Sequence, residues 1–259
     1  MDDSLDALAR AFESAQSALF ITGAGISADS GLPTYRGVSG LYEDVDPEDG
    51  LPIEELLSGP MFQAQPALTW KYIRQIEEAC RGAAPNVAHR AIAALERRLE
   101  RVWVLTQNVD GLHVAAGSRN VIAIHGDVHQ LVCTACDYQA RVPDFAALAP
   151  LPRCPTCAAV IRPAVVLFGE WLPGPAVAAM ERELRRGFDI VLSIGTSSPF
   201  PYIIRPVIEA RARGAVTVEI NPGETVVSDL VDHRLRTGAV DAFTRLMARL
   251  GVDAGALKP

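Results

Sequence analysis

Four cysteines form two Cys-x-x-Cys pairs, Cys133/Cys136 and Cys154/Cys157, with 17 residues between the pairs. Thiolates at this spacing are typical of zinc sites with four cysteine ligands. Because four thiolates complete a tetrahedron and leave no position for water, the pattern predicts a structural zinc ion. The alternatives are disulfides, which a cytoplasmic chain disfavours, and a redox Cys-x-x-Cys, which is normally single.

A glycine-rich turn follows the first apolar run of the chain. Residues 17–22 lead directly into Gly23-Ala24-Gly25-Ile26-Ser27-Ala28. Such a turn after a strand is typical of dinucleotide-binding sites, in which backbone N–H groups bind a pyrophosphate. An ordinary NAD dehydrogenase would next show a second strand that ends in an acidic residue, whereas residues 41–50 are too acidic for a buried strand. Glycines that serve only packing are the open alternative.

Polar side chains follow four further apolar runs, where the predicted strands end. The runs 102–106, 121–124, 188–194 and 215–220 precede, in turn, Gln107/Asn108/Asp110, His125, Gly195/Thr196/Ser197 and Asn221. Carboxyl ends of parallel strands share the edge of a sheet at which α/β proteins bind ligands. Amides and a carboxylate there could bind a carboxamide and a ribose, and His125 could accept a proton at neutral pH. For each motif alone, ordinary loop capping is the alternative.

The same apolar runs alternate with helical patterns at residues 5–12, 66–79, 87–99, 175–186, 202–213 and 239–250. This alternation predicts the α/β class, with a doubly wound, Rossmann-type parallel sheet. Residues 39–59 and 132–162 interrupt the rhythm and are interpreted as insertions. We therefore predict a discontinuous Rossmann-type domain of residues 1–37, 85–128 and 162–259, and a small domain made of a helical insert (38–84) and a zinc module (129–161).

Composition limits the classes of partner. The chain has 259 residues, 49% hydrophobic content and a formal net charge of −7. That charge disfavours binding to nucleic acid through bulk electrostatics. No apolar run approaches the ~18 residues of a membrane span, and the acidic N-terminus does not resemble a signal peptide. We expect a cytoplasmic monomer without membrane or nucleic-acid partners.

Taken in their order along the chain, these motifs resemble the sirtuin family. The first motif is long and specific, GAGISADSGLPTYRG at residues 23–37, and it is followed by TQNVD, HG, the cysteine quartet, VLFGE, GTS and Asn221. The resemblance implies that acyl-lysine proteins or peptides and NAD meet between a Rossmann-type and a zinc-containing domain. The implied reaction transfers the acyl group, expected to be acetyl, to yield free lysine, nicotinamide and O-acyl-ADP-ribose.

The resemblance also implies roles for individual residues. His125 would be the catalytic base, and Asn108 and Asp110 would hold the nicotinamide end and serve catalysis. Val166, Phe168, Gly169 and Glu170 would pair with the substrate backbone as an added strand. The other residues implied in NAD binding are Gly23, Ala24, Gly25, Ser27, Tyr35, Arg36, Gln107, Gly195, Thr196, Ser197, Asn221 and Ala239.

Two departures from the family pattern leave questions open. Tyr35 stands where the family usually has Phe, and residues 198–201 read Ser-Pro-Phe-Pro after the GTS motif, which leaves the adenine-side contacts undecided. Rival functions are an NAD hydrolase or ADP-ribosyl transferase, and an NAD-binding protein without turnover. The VLFGE segment favours a deacylase over the first rival, and His125 together with Asn108 and Asp110 favours it over the second.

The acyl preference depends on the alignment of one helix. Family members that prefer acidic acyl groups carry Tyr-x-x-Arg before the segment that corresponds to residues 86–89. The stretch here is Trp70-Lys-Tyr-Ile-Arg-Gln75. Alignment on Trp70 puts Ile73 in the arginine position and predicts an apolar pocket for acetyl or longer neutral chains, which we favour. Alignment on Arg74 puts Lys71 in the tyrosine position and leaves two cations able to attract an acid.

Overall fold

A six-stranded parallel sheet is the centre of the computed structural model, which describes residues 2–34 and 49–252. Its strands are β1 (Ser17–Thr22), β2 (Arg101–Thr106), β3 (Val121–Ala123), β7 (Ile190–Ile194), β8 (Val216–Ile220) and β9 (His233–Leu235). The strand order is β3-β2-β1-β7-β8-β9, and every pairing is parallel. This order is that of a Rossmann-type doubly wound sheet.

Helices cover both faces of this sheet. All six residues of β1 are buried, as expected for a strand with apolar neighbours on both sides. Phe20 packs in one core with helices α1 (Asp2–Ser14), α5 (Val87–Leu95) and α9 (Ala239–Arg249). Leu19 and Ile21 face a second core with α7 (Gly174–Arg186) and α8 (Pro201–Ala212). A short helix, α6 (Leu112–Ala115), follows β2.

The remaining elements share a third core. They are α2 (Ile53–Leu56), α3 (Gly59–Ala64), α4 (Pro66–Cys80) and the antiparallel strands β4 (Gly126–Cys133), β5 (Gln139–Arg141) and β6 (Ile161–Val165). The strand order is β5-β4-β6. Trp70 of α4 is fully buried and donates its indole N–H to the carbonyl of Ile161, 3.0 Å away. The helical insert and the zinc module are therefore joined by packing and by a buried hydrogen bond.

Most predicted elements are present with small shifts of their ends. The predicted helix 87–99 ends at Leu95, and the predicted strand 188–194 begins at Ile190. Strand β9 was not predicted, because its residues, His-Arg-Leu, form no apolar run. The three-stranded sheet runs from Gly126 to Val165 and so extends beyond the predicted zinc module on both sides. The domain boundaries stay a prediction.

The topology places a crevice between β1 and β7. The chain runs outward from β1 to β3 on one side and from β7 to β9 on the other. At such a switch point, the turns that leave the two central strands diverge and open a ligand site at the carboxyl edge. None of the helices in the described part of the chain is long and apolar enough to span a membrane.

Candidate active site

Two glycine turns meet at the switch point. The N–H of Gly25, after β1, donates to the carbonyl of Gly195, after β7, over 2.8 Å. A Cβ atom added at Gly25 would lie 2.6 Å from the Cα of Gly195, and one added at Gly23 would lie 2.7 Å from the Cβ of Thr196. Gly195 has a φ of +56°, which favours glycine. Packing between the turns therefore requires these glycines, whatever ligand the turns bind.

A network of buried polar groups connects the first glycine turn to the end of β2. The Asn108 amide nitrogen donates to the carbonyl of Gly23 at 3.1 Å and to the hydroxyl of Ser27 at 3.2 Å. Ser27 in turn donates to a carboxylate oxygen of Asp110, 2.8 Å away. Burial raises the pKa of Asp110, while hydrogen bonds from the Leu112 N–H and from Ser27 oppose this rise.

Asn108 presents one acceptor that has no partner among the described residues. The residue is 5% exposed, and its Oδ1 atom makes no hydrogen bond to any of them. Leaving such an atom unpaired costs about 1–3 kcal/mol, so a buried orphan acceptor marks a place where a ligand donor could bind. Asn108 lines a pocket between the loop that carries Asp110 and the α4 residues Ile76 and Cys80.

Two amide side chains link the ends of three strands at the crevice. The Gln107 amide donates to the hydroxyl of Thr196 over 2.9 Å, which links the end of β2 to that of β7. The Asn221 amide, after β8, donates to the carbonyl of Thr196 over 3.2 Å. The ends of three strands are therefore fixed to one another at the carboxyl edge of the sheet.

His125 lies at the same edge, two residues beyond β3. Its Nδ1 atom is 3.0 Å from the carbonyl oxygen of Gln107, and its Nε2 atom is 2.7 Å from the hydroxyl of Tyr202. Burial lowers the pKa of His125, and the hydrogen bond to Gln107 opposes this effect. The imidazole is therefore neutral at pH 7. Because a carbonyl only accepts, Nδ1 carries the hydrogen and Nε2 is the basic nitrogen.

The four cysteines of the zinc module converge on one point. All four sulfur atoms lie within 4.8 Å of one another. Zn–S bonds of ~2.3 Å in a tetrahedron require sulfur separations of roughly 3.8 Å, so the cluster fits a four-thiolate zinc site. The N–H groups of Ala135 and Thr156 donate to the first sulfur of each pair, over 3.3 and 3.4 Å. Such donors stabilise the thiolate form that zinc requires.

Residues 166–170 connect His125 to the helical insert. The Val166 N–H donates to the carbonyl of His125 at 2.9 Å. Phe168 donates to the carbonyl of Leu57 and accepts from the N–H of Gly59, both at 2.9 Å. The Glu170 carboxylate forms an ion pair with Arg162 at 2.6 Å and accepts from the Leu167 N–H. The Glu170 N–H also donates to the carbonyl of Leu167 over 3.0 Å, and Gly169 has a φ of +79°, so residues 167–170 form a turn that is bonded to both His125 and the helical insert through its flanking groups.

Comparison with known proteins identifies the family. The model of the Sir2 family matches residues 23–200. The chain belongs to the Sir2 family. The NAD-dependent protein deacylase 2 of Pseudomonas aeruginosa is 46% identical to it over 94% of this chain and 96% of the relative.

Solved Sir2 structures share the fold of this chain. A mutant Sir2 homologue in complex with 2'-O-acetyl ADP ribose has a TM-score of 0.85 and 35% identity, over 98% of both chains. A Sir2 complex with a p53 peptide and NAD+ has a TM-score of 0.83 and 27% identity, over 96% of this chain and 99% of that one.

In this Sir2-family chain, most of the predicted site residues lie in the turns at the carboxyl edge of the sheet or in the adjoining segment 166–170. The exceptions are few. Ser197 is exposed, and Ala239 is buried as the first residue of α9. Tyr35 and Arg36 lie outside the described residues, so nothing is concluded about them.

Two aromatic residues of the Sir2 site were not predicted. Phe200 and Tyr202 both contact the His125 ring edge-on, with centroid distances of 6.0 Å. A signal existed in the sequence, since Pro201 favours the first position of a helix and so places Tyr202 just after the β7 turn. The partnership of Tyr202 with His125 is visible only in the structure, because the two residues are 77 positions apart in the chain.

Proposed function

We propose that this chain removes acyl groups from protein lysines in an NAD-dependent reaction, with His125 as the base. The observation that carries the proposal is the neutral, half-buried imidazole of His125, whose Nδ1–H is fixed by the Gln107 carbonyl. That arrangement leaves Nε2 as the basic nitrogen, at the carboxyl edge of the sheet where the glycine turns also lie. A His125 whose pKa is lowered by burial is unprotonated at neutral pH and can take a proton from a hydroxyl.

Asn108 and Asp110 are suited to hold the nicotinamide end of NAD. A carboxamide offers both a donor and an acceptor, and the unpaired Oδ1 of Asn108 needs a donor. The Asn108 amide nitrogen is already committed to Gly23 and Ser27, so its orientation is fixed before a ligand binds. When bound, NAD supplies the ribose carbon to which the acyl oxygen is transferred as nicotinamide leaves.

The segment 166–170 is the part of the chain that we propose to pair with the backbone of a substrate peptide. The backbone groups of Phe168 are bonded to the helical insert and those of Leu167 to Glu170, so a peptide would pair with the remaining backbone groups of the segment. The solved Sir2 complex with a p53 peptide supports a peptide substrate. The segment also bonds directly to the His125 carbonyl, so a peptide bound there would lie close to the base.

A neutral acyl group fits the surroundings of α4 better than an acidic one. Arg74 donates to the carbonyls of Phe145 and Leu148, both at 3.1 Å, and also to that of Ala149. Lys71 forms an ion pair with Asp49 at 2.6 Å. Both cations of the alternative alignment are therefore engaged, and neither is held ready for an acyl carboxylate. We infer a preference for acetyl or longer neutral chains.

The test measures nicotinamide release with and without an acetyl-lysine peptide, for the wild type and His125→Ala. Release should depend on the peptide, and the variant should lose a factor on the order of 10² to 10⁴ in kcat while it still binds NAD in calorimetry. His233→Ala, on the edge strand β9, is the control and should retain activity. Peptide-independent release would indicate an NAD hydrolase, and near-normal turnover of His125→Ala would refute the base.

The acyl preference is tested on one peptide that carries acetyl-, butyryl- or succinyl-lysine. Because Arg74 and Lys71 already have bonding partners, we expect a higher kcat/KM for acetyl- and butyryl-lysine than for succinyl-lysine. A succinyl preference that disappears in Arg74→Ala would show that the guanidinium leaves its carbonyl partners to bind an acid, and that the inferred preference is wrong.

A further inference from the structure

Two aromatic side chains, Phe200 and Tyr202, pack against the ring of the proposed base, His125. Phe200 and Tyr202 stack with ring centroids 5.3 Å apart and an angle of 6° between their planes. Both rings meet the His125 ring nearly at right angles, at 90° and 84°. Phe200 belongs to the segment 198–201, in which the sequence departs from the family pattern, and Tyr202 follows that segment directly.

The hydrogen-bond roles at His125 follow from its partners. Gln107 contributes a carbonyl, which can only accept, so the neutral ring has its hydrogen on Nδ1. Nε2 must then accept, and the Tyr202 hydroxyl donates to it over 2.7 Å. Burial raises the pKa of Tyr202 to about 12, so the hydroxyl keeps its proton at neutral pH. No charged side chain of the described residues contributes to the lowered pKa of His125.

The backbone holds Tyr202 in this place. Ser198 is fully buried and has a φ of +52°, in the left-handed region that few L-residues adopt. Pro199 and Pro201 flank Phe200, and Pro201 begins helix α8, so Tyr202 lies in the first turn of that helix. A change in its contact with His125 therefore requires rotation of the side chain and not a swing of the loop.

We propose that Tyr202 is a positioning residue for His125, whose hydroxyl occupies the acceptor nitrogen of the imidazole until a ribose hydroxyl of the bound dinucleotide replaces it. This inference rests on the proposed function, because the proposed base must accept its proton through the same Nε2 atom. The exchange replaces one hydroxyl donor by another and forms no covalent bond. Tyr202 is only half-buried, so its released hydroxyl can bond to water.

The exchange has a measurable consequence for affinity. In Tyr202→Phe the ring stack is kept and the competing hydroxyl is gone, so ligand binding no longer has to break that hydrogen bond. The net value of one hydrogen bond corresponds to a gain of about 2- to 10-fold. The gain should appear for ADP-ribose, which carries the distal ribose, and be absent for ADP, which lacks it.

The experiment is calorimetry with ADP-ribose and with ADP on four proteins: the wild type, Tyr202→Phe, His125→Ala and the double variant. Tighter binding of ADP-ribose alone, which disappears in the His125→Ala background, is the expected result. A merely structural role of the hydroxyl would change both ligands alike. Tyr138→Phe removes a phenol hydroxyl from the zinc module and should leave both affinities unchanged.

Unchanged or weaker binding of ADP-ribose by Tyr202→Phe would overturn the exchange. A tenfold or greater loss of kcat in Tyr202→Phe with unchanged ADP-ribose affinity would also overturn it. The Tyr202 hydroxyl would then relay the proton to His125 and would not be replaced by a ribose hydroxyl. Failure of the proposed function gives a different result: the wild type would bind neither ligand, or His125→Ala would turn over normally.

Discussion

A buried pair of histidines makes the stability of this protein sensitive to acid. His89 of α5 is fully buried, and its ring meets that of His113 at 4.8 Å between centroids. Burial, with a further contribution from Arg90, lowers the pKa of His89 from 6.5 to about 4. Burial also lowers the pKa of His113 well below its usual value. Both rings are therefore neutral in the folded protein at pH values at which the unfolded chain binds protons.

The sign of the effect follows from the two pKa values of His89. Because the folded pKa lies below the unfolded one, the unfolded chain binds more protons between about pH 6.5 and 4. The free energy of unfolding should be constant above that window and fall as the pH falls through it. From pH 8 to pH 5, His89 alone lowers it by about 2 kcal/mol.

The perturbation that isolates this effect is His89→Gln. The structure has a capping box in which Asn86 and His89 bond each other's backbone N–H groups. Glutamine is an ordinary residue at that position of a capping box and does not titrate. The variant should therefore fold at pH 8 with a small change in stability, and its stability should decline less steeply with acid.

The assay is urea unfolding at pH 8, 6.5, 5.5 and 5, followed by circular dichroism. Acid also protonates the zinc ligands, but this loss is common to both proteins and cancels in their difference. The difference in the free energy of unfolding should change by about 2 kcal/mol in favour of His89→Gln between pH 8 and pH 5. Parallel pH profiles for the two proteins would refute the reasoning, because His89 would then titrate alike in the folded and unfolded states.

Two further predictions concern the zinc cluster and the glycine turns. Cys154→Ser should reduce the zinc content, measured by mass spectrometry, from one ion per chain and lower the Tm, because a structural site contributes its binding free energy to folding; an unchanged Tm would contradict this. Gly25→Ala should lower the free energy of unfolding in urea by more than about 2 kcal/mol, since its Cβ would lie 2.6 Å from a backbone atom of Gly195. Gly223→Ala should be nearly neutral, since its Cβ would lie 3.8 Å from the side-chain oxygen of Asn221, an ordinary contact. Equal losses in the two glycine variants would argue against the close contact of the turns.

Features that are local in sequence could be predicted. The strand Ser17–Thr22 was predicted with its observed bounds, because six consecutive buried residues leave a strong pattern. The cysteine cluster was predicted because paired Cys-x-x-Cys motifs have few physical interpretations. His125 was placed at the carboxyl edge of the sheet from the strand before it alone.

Features set by contacts between distant residues could not be predicted. Gly23 and Gly25 were assigned to ligand binding, with packing as the alternative, and only the opposing turn at Gly195 reveals that packing requires them. Tyr202 was predicted as part of a helix, but its bond to His125 depends on how α8 leaves the sheet. No spacing rule encodes such a pair.

His125 joins the two halves of the candidate site through three different groups. Its Nδ1–H bonds to the carbonyl of Gln107, at the end of β2. Its own carbonyl accepts from Val166, which begins the segment proposed to bind peptide. Its Nε2 bonds to Tyr202 of α8. A displacement of the peptide segment therefore moves the backbone of His125, while the His125 side chain is held on the cofactor side. We expect the binding of peptide and of dinucleotide to be energetically coupled through this residue.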